Sequence, residues 1–481
     1  MTKRVAIVWF RNDLRLTDNP ALTAAAATVD AILPVYVHQP TEHGAWAPGA
    51  ASRWWLHHSL TALDAALREH GNALCVLRGP TLTALESLIE AHSVVAVHWN
   101  RVYEPALIER DKLVKQALRA RGVEVHSHNA SLLHEPWGLL KADGSAYRVF
   151  SAYWKAALRK GVDLPPAAAP RHLQTLAKPP AGVALASLEL LPRMPWDAGL
   201  AARWAPGERG AEDVLGRFFA AGFSGYAQGR DHPARALTSR LSPHLHFGEI
   251  GPRRVIAALR AHEAGAPTGA TPNVERFLAE IGWREFAHHL LYHFAHTPQA
   301  PLDPRFAAFP WTGGATDREV WARGRTGIPI VDAGMRELWE TGWMHNRVRM
   351  IVASFLTKNL LIDWREGARW FWDTLVDADL ANNTLGWQWT AGCGADAAPY
   401  FRVFNPVLQG RKFDANGDYV RRFVPELRRL PTRHVHAPWQ APAAELAQAG
   451  VRLGETYPRA IVDLKATRER ALAVWAALRA D

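Results

Sequence analysis

Five short runs of β-forming, mostly apolar residues recur through the first 130 positions: VAIVWF (5–10), AILPVYVH (31–38), ALCVLRG (73–79), VVAVHWN (94–100) and VEVHSH (123–128). Alanine- and leucine-rich segments such as HHSLTALDAALREHG lie between them. Near-continuous apolar strands must be covered on both faces, which is the condition of a parallel sheet. Strands alternating with helices at this spacing predict a doubly wound parallel α/β domain over residues 1–130. No GxGxxG follows the first strand, so a dinucleotide on that sheet is not supported. A different small ligand at the C-terminal strand ends is left open.

Residues 131–205 are rich in Pro and Ala, as in DLPPAAAPRHLQTLAKPPAG, which predicts a long connector crossing the surface. From 206 to 481 the pattern turns helical, as in VERFLAEIGWREFAHHLLYHF and NRVRMIVASFLTKNLL. The expected architecture is therefore α/β: a doubly wound domain joined by a long linker to a larger all-α domain. The first apolar run meets Arg11, Asp13 and Arg15 at once, leaving no room for a signal peptide. No apolar stretch has the length of a membrane span. Two cysteines, Cys75 and Cys393, stand far apart, which speaks against a disulfide framework or a cysteine metal site and for a reducing cytosol. A net charge of +10 favours a polyanionic partner such as nucleic acid, although solubility alone would also account for it. The 21 tryptophans suggest stacking, cofactor contact, or both.

Four stretches of the helical part carry polar or aromatic residues that a simple core would not favour. In LTSRLSPHLHFGEI, Thr238, Ser239 and Ser242 precede a helix with Pro243 in its first turn, which is either an anion cradle or ordinary capping. In LAEIGWREF, Glu280, Trp283 and Arg284 share one helical face, either as a cavity wall for a stackable polar ligand or as a surface ion pair beside a core tryptophan. In TGWMHNRVRM, Asn346 and Met350 are four apart and Arg347 and Arg349 diverge; an amphipathic helix with Met350 as core filler is the plain alternative. In LVDADLANNTLGWQW, Asp377, Asp379 and Asn383 cluster ahead of Trp387 and Trp389. No third ligand follows at metal-binding spacing and no zinc pattern of histidines occurs, so no metal is expected. With no GxSxG and no phosphate-binding loop, hydrolytic chemistry is unsupported, and a basic, tryptophan-laden domain points to cofactor chemistry.

Taken together, WFRNDLRLTDNPAL (9–22), TSRLSPHLHFGEI, WREF, GIPIVDAGMRELWETGWMHNRVRM, DWREG, DADLANNTLGWQW and DAAPYFRVFNP resemble the photolyase/cryptochrome family, in the expected order over nearly the whole chain. The resemblance implies a light-driven carbon–carbon lyase that repairs cyclobutane pyrimidine dimers in UV-damaged DNA, with FAD as cofactor. It maps flavin contacts onto Tyr226, Thr238, Ser239, Leu241, Ser242, Arg284, Asn346, Arg349, Asp377 and Asp379, with Asn383 facing flavin N5. Lesion contacts map onto Glu280, Trp283, Asn346, Met350 and Trp389, and phosphate contacts onto Arg230, Arg347 and Arg402. Trp387, Trp364 and Trp311 match the family's electron relay, and Glu280 and Asn383 are counted with them as catalytic. Glu109 matches a pterin-contacting glutamate, so the favoured antenna is 5,10-methenyltetrahydrofolate, with a deazaflavin as the alternative. The family's (6-4) enzymes use histidines where this chain has Asn346 and Met350, which favours the cyclobutane dimer. The alternative reading is a cryptochrome photoreceptor; the compact C-terminal finish and the intact lesion pocket speak for repair. A monomer in the bacterial cytoplasm is expected.

Overall fold

The computed structural model describes residues 4–170, 173–265, 272–397 and 401–480. They fall into two compact units. The first takes in Met1–Ser224, Ser239–Ala295 and Val376–Ala381; the second takes in Gly225–Thr238, His296–Leu375 and Asn382–Asp481.

In the first unit the strands β1 (Val5–Phe10), β2 (Ala31–His38), β3 (Cys75–Arg78), β4 (Val94–Asn100) and β5 (Glu124–His128) form one sheet in the order β3-β2-β1-β4-β5. Every pairing is parallel. Helices α1 (Pro20–Thr28), α2 (Ala50–Glu69), α3 (Thr81–His92) and α4 (Pro105–Ala120) make the crossovers. Local chemistry sets the start of α1: Asn19 accepts from the N–H of Leu22, and Pro20 opens the first turn. All six residues of β1 are buried, as a central strand covered on both faces requires. Val5, Ile7, Trp9, Val35, Val97, Trp99 and Val125 share one core, and Trp9 meets Trp99 edge-on with ring centroids 5.5 Å apart.

Charges that interrupt the first apolar run are buried too. Arg15 is 2% exposed; it donates to the carbonyl oxygens of Thr17, Gly248 and Ala130 and lies 3.7 Å from Asp18. Asn100 donates to Asp13 at 2.6 Å and to Asn19 at 2.7 Å. The Asn100 bonds tie the end of β4 to the segment after β1, and Arg15 ties that segment to Gly248, because a buried guanidinium is tolerable only when its donors are satisfied. The stretch expected as a connector carries a helix, α5 (Phe150–Lys160), which buries Tyr153 and Trp154. Trp154 packs on Gly282 so closely that a Cβ there would stand 2.6 Å from the ring.

In the second unit, helix Pro329–Thr341 carries Asp332, which is fully buried. Asp332 accepts from Thr326, Gly327 and Tyr457. Helices Asn346–Ser354 and Trp364–Thr374 follow, and most of helix Leu380–Ala391 belongs here as well.

Gly248 adopts φ +65°, and a Cβ there would overlap the carbonyl oxygen of Asn12. Gly248→Ala should therefore lower unfolding stability by about 2–4 kcal/mol, from left-handed strain plus overlap with rigid backbone. Urea denaturation with an unchanged m-value checks it; a loss under about 0.5 kcal/mol would contradict the close approach.

Candidate functional site

Arg240 takes a left-handed φ of +55° and turns the chain into helix Ser242–His246, with Pro243 in its first turn. Its N-cap residue, Leu241, makes no side-chain cap bond. The N–H of Leu241 reaches Ser239 Oγ at a long 3.5 Å. Leu241 is buried, Ser239 half-buried and Ser242 exposed.

Helix Pro272–His293, also in the first unit, carries two sets of groups. On one side are Glu280 and Trp283, both half-buried. Trp283 stacks on Phe150 with centroids 3.8 Å apart and planes 9° from parallel. The other set is deeply buried: Arg284, Glu285 and His288. Arg284 Nη1 donates to the Ser131 carbonyl at 2.6 Å, so it is not half of a surface ion pair. Glu285 Oε2 accepts from the N–H of Leu133 at 2.8 Å and of His134 at 3.3 Å. Burial pushes the Glu285 carboxyl up to about 7 against the opposing pull of Arg284 and His288.

His288 links this set to Asp379. Its Nδ1 donates to the Arg284 carbonyl at 2.9 Å and its Nε2 lies 3.4 Å from Asp379 Oδ2. His246 Nδ1 stands 3.6 Å from the same oxygen, beyond hydrogen-bond length. Burial alone would lower the His288 imidazole, but Asp379 raises it above its ordinary value. Burial would likewise raise Asp379, yet the neighbouring imidazoles of His288 and His246 hold it well below the usual carboxylate range. With acceptors facing both ring nitrogens, the geometry favours the imidazolium form of His288 and the carboxylate form of Asp379. Asp377 is buried two residues earlier.

In the second unit, His345 caps helix Asn346–Ser354, its Nδ1 accepting from the N–H of Arg347 at 3.2 Å. Burial lowers its imidazole to about 4, so it is neutral. Val348, Ile351 and Val352 form the core face of this helix, whereas Met350 is only half-buried. Met350 is thus not core filler. Asn346 is exposed, Arg349 Nε donates to the Met344 carbonyl at 2.7 Å, and Arg347 Nη2 pairs with Asp231 at 3.0 Å. Arg230 sits with its guanidinium carbon 5.5 Å from the ring of buried Tyr226; Thr238 is half-buried and Arg402 exposed.

On helix Leu380–Ala391, residues two apart point about 200° from one another. Trp387 and Trp389 therefore face different surroundings. Trp387 is buried against Phe371 and Trp321, and Gly367 is needed to admit its ring. Trp389 is half-buried, its Nε1 donating to the Asp396 carbonyl at 3.0 Å. Between them Gln388 bonds Thr297, Ala300 and Leu302, which fixes the helix rotation. Asn383 Nδ2 donates to the Ala368 carbonyl at 3.0 Å, leaving its amide oxygen as the remaining acceptor. Trp364 is fully buried and Trp311 half-buried, 4.3 Å from Phe309 between ring centroids.

Glu109 stands apart from these groups, 69% exposed on α4 and 2.7 Å from Lys112. Sequence reasoning missed Glu285, His246, His288 and Asp231. The signal for Glu285 and His288 was the run of charged and imidazole side chains in WREFAHH, on a helix that must bury almost every face. The expectation that abundant tryptophan marks stacking or cofactor contact needs correction. Trp9, Trp54, Trp55, Trp99 and Trp321 are fully buried core residues.

Residues 6–171 match the family described as DNA photolyase, and residues 277–477 match the FAD binding domain of DNA photolyase. The chain is 48% identical over 476 residues to the deoxyribodipyrimidine photo-lyase of Agrobacterium fabrum, covering 98% of both chains. It is 40% identical to cryptochrome-2 of Arabidopsis thaliana, covering 96% of this chain and 77% of that one. Among solved structures it is similar to a bacterial class III photolyase from Agrobacterium tumefaciens, with TM-score 0.96 and 47% identity, covering 100% of this chain and 99% of that one. The donor set suits a flavin dinucleotide. The start of helix Ser242–His246, where Leu241 offers no side-chain cap, fits a phosphate-facing turn.

Because His288 is raised above its ordinary 6.5 and Asp379 lowered below its ordinary 3.8, the pair contributes fully between pH 3.8 and 6.5 and loses strength as pH rises through the folded His288 value. The stability excess of wild type over His288→Gln should be largest in that window and shrink above it. Denaturation across a pH series measures this, and an excess that grows with pH would contradict the imidazolium.

Proposed function

The chain belongs to the photolyase/cryptochrome family, and from that premise we propose that it repairs cyclobutane pyrimidine dimers in UV-damaged DNA under light. It is a deoxyribodipyrimidine photo-lyase with FAD as its cofactor. The observation that carries this is helix Leu380–Ala391, where an oriented amide, a buried indole and a half-exposed indole follow at Asn383, Trp387 and Trp389.

When bound in its reduced state, FAD supplies the photoexcited electron that opens the cyclobutane ring and then returns. The chain's own residues position and polarise. Ser239, Leu241 and Ser242, with Thr238 and Tyr226, are assigned to the dinucleotide phosphates. Arg284, Asn346, Arg349, Asp377 and Asp379 are assigned to the rest of the cofactor. Asn383 would offer its amide oxygen to a flavin nitrogen without adding charge, a reading supported by the tie of its own nitrogen to Ala368. Glu280, Trp283, Asn346, Met350 and Trp389 receive a dimer turned out of the duplex, which costs least at a poorly paired lesion. Trp283 offers one ring face, since Phe150 covers the other. Arg230, Arg347 and Arg402 contact phosphates, which makes affinity fall with salt. Trp387, Trp364 and Trp311 would carry electrons to oxidised flavin; the first two are buried and Trp311 is half-buried, which supports Trp311 as the outer member.

A (6-4) lesion is disfavoured because the one histidine of HNRVRM is buried, neutral and committed to capping Arg347. The functional division is residues 1–130 for the antenna, 131–205 for the connector and 206–481 for flavin and DNA. The antenna is assigned as 5,10-methenyltetrahydrofolate beside Glu109. The protein works as a monomer in the cytoplasm.

Blue light on the reduced protein with a dimer-containing oligonucleotide should restore pyrimidine absorbance, whereas (6-4) oligonucleotide should stay unchanged. Failure to restore it with FAD bound would exclude repair and leave the photoreceptor reading.

A further inference from the structure

Asp231 sits where a DNA-binding surface would be expected to exclude a carboxylate. It follows Arg230 in the chain and lies 3.0 Å from Arg347 Nη2, so it neutralises one of the two phosphate-contacting arginines it touches in sequence or space. A charge that weakens attraction to a polyanion must contribute something else. Other contacts show what Arg347 gains from it. Its guanidinium carbon lies 4.5 Å from the Phe413 ring centre, and its backbone N–H is held by His345 Nδ1. The residue after Asp231, His232, places Nδ1 3.1 Å from the Phe413 carbonyl. Phe413 and the Asp231–His232 segment thus form one bracket around the guanidinium. Arg347 Nε is buried and has no hydrogen-bond partner among the described residues. Of the five guanidinium donors, one end is occupied by Asp231 while the Nε edge keeps an unmet donor.

We infer that Asp231 is a positioning residue that fixes the Arg347 guanidinium and thereby raises discrimination between dimer-containing and undamaged DNA. This rests on the assignment of Arg347 to a phosphate. The negative charge lowers affinity for every DNA alike. The fixed geometry helps only the complex in which the backbone is held in one register, with the dimer seated. An arginine with four free torsions would otherwise lose that freedom on binding, and would meet any phosphate of an undamaged duplex equally well. Asp231 therefore gives up affinity common to all DNA and retains the part specific to the lesion.

Binding in the dark tests this, using duplexes of one sequence with and without a single cyclobutane dimer, followed by fluorescence anisotropy at several salt concentrations. In Asp231→Ala the preference for the dimer should fall severalfold while affinity for undamaged DNA rises. Asp231→Asn, which keeps an acceptor oxygen for Arg347, should retain more of the preference. In an Arg347→Ala background, Asp231→Ala should change the preference no further, because the two act as one unit. Bound-flavin absorbance and the melting temperature report whether each variant is folded; should Asp231→Ala fail, the comparison stands on Asp231→Asn. An unchanged preference, or an equal fall with and without Arg347, would overturn the role of Asp231. Photorepair by the wild type is read in parallel. A wild type that repairs and discriminates while the variants match it refutes this inference alone, whereas a wild type that does neither refutes the repair reading itself.

Discussion

Burying charge on helix Pro272–His293 is the constraint around which the first unit is organised. Arg284, Glu285 and His288 stand within two turns of one another and are almost wholly removed from water. Such groups are tolerable only if each finds a partner. Arg284 takes the Ser131 carbonyl, Glu285 takes the N–H groups of Leu133 and His134, and His288 takes Asp379. One helix thereby pins the segment after β5 and the Val376–Ala381 segment. The same helix exposes Glu280 and Trp283 one turn away, so the groups assigned to the lesion inherit their rigidity from the buried set.

A second consequence is electrostatic. Each member of the His288–Asp379 pair shifts the other toward its charged form, against the burial that opposes it. Fixed charges of this kind suit a reaction in which an electron moves and no heavy group needs an acid or a base, because they need not reorganise. Glu285, lifted to about 7, changes state near neutral pH.

Much of this was legible in the sequence, for physical reasons that differ by region. The sheet was legible because buried parallel strands leave continuous apolar runs; β1, β2 and β4 coincide with the runs read at 5–10, 31–38 and 94–100. The different roles read for Trp387 and Trp389 came from the family resemblance, and the helix shows that their rings face different surroundings. Partners brought together by tertiary contact alone were not legible: nothing local links His288 to Asp379, Arg15 to Gly248, or Arg347 to Asp231. Helix α5 was hidden by the Pro- and Ala-rich composition around it, and its packing against Gly282 appears only in three dimensions. Tryptophan count misled for a related reason. An indole fills a two-sided core as readily as it serves a ligand, and Trp9 and Trp99 do the former.

Helix Leu380–Ala391 carries two indoles assigned to different work, Trp387 to electron supply and Trp389 to the lesion. Parallel measurement of flavin photoreduction and dimer binding in Trp387→Phe and Trp389→Ala tests that division most directly. Expected is a crossed result: Trp387→Phe loses photoreduction but binds the dimer and repairs it when reduced beforehand, whereas Trp389→Ala keeps photoreduction and binds the dimer poorly. Either variant losing both properties, or neither, would contradict the division.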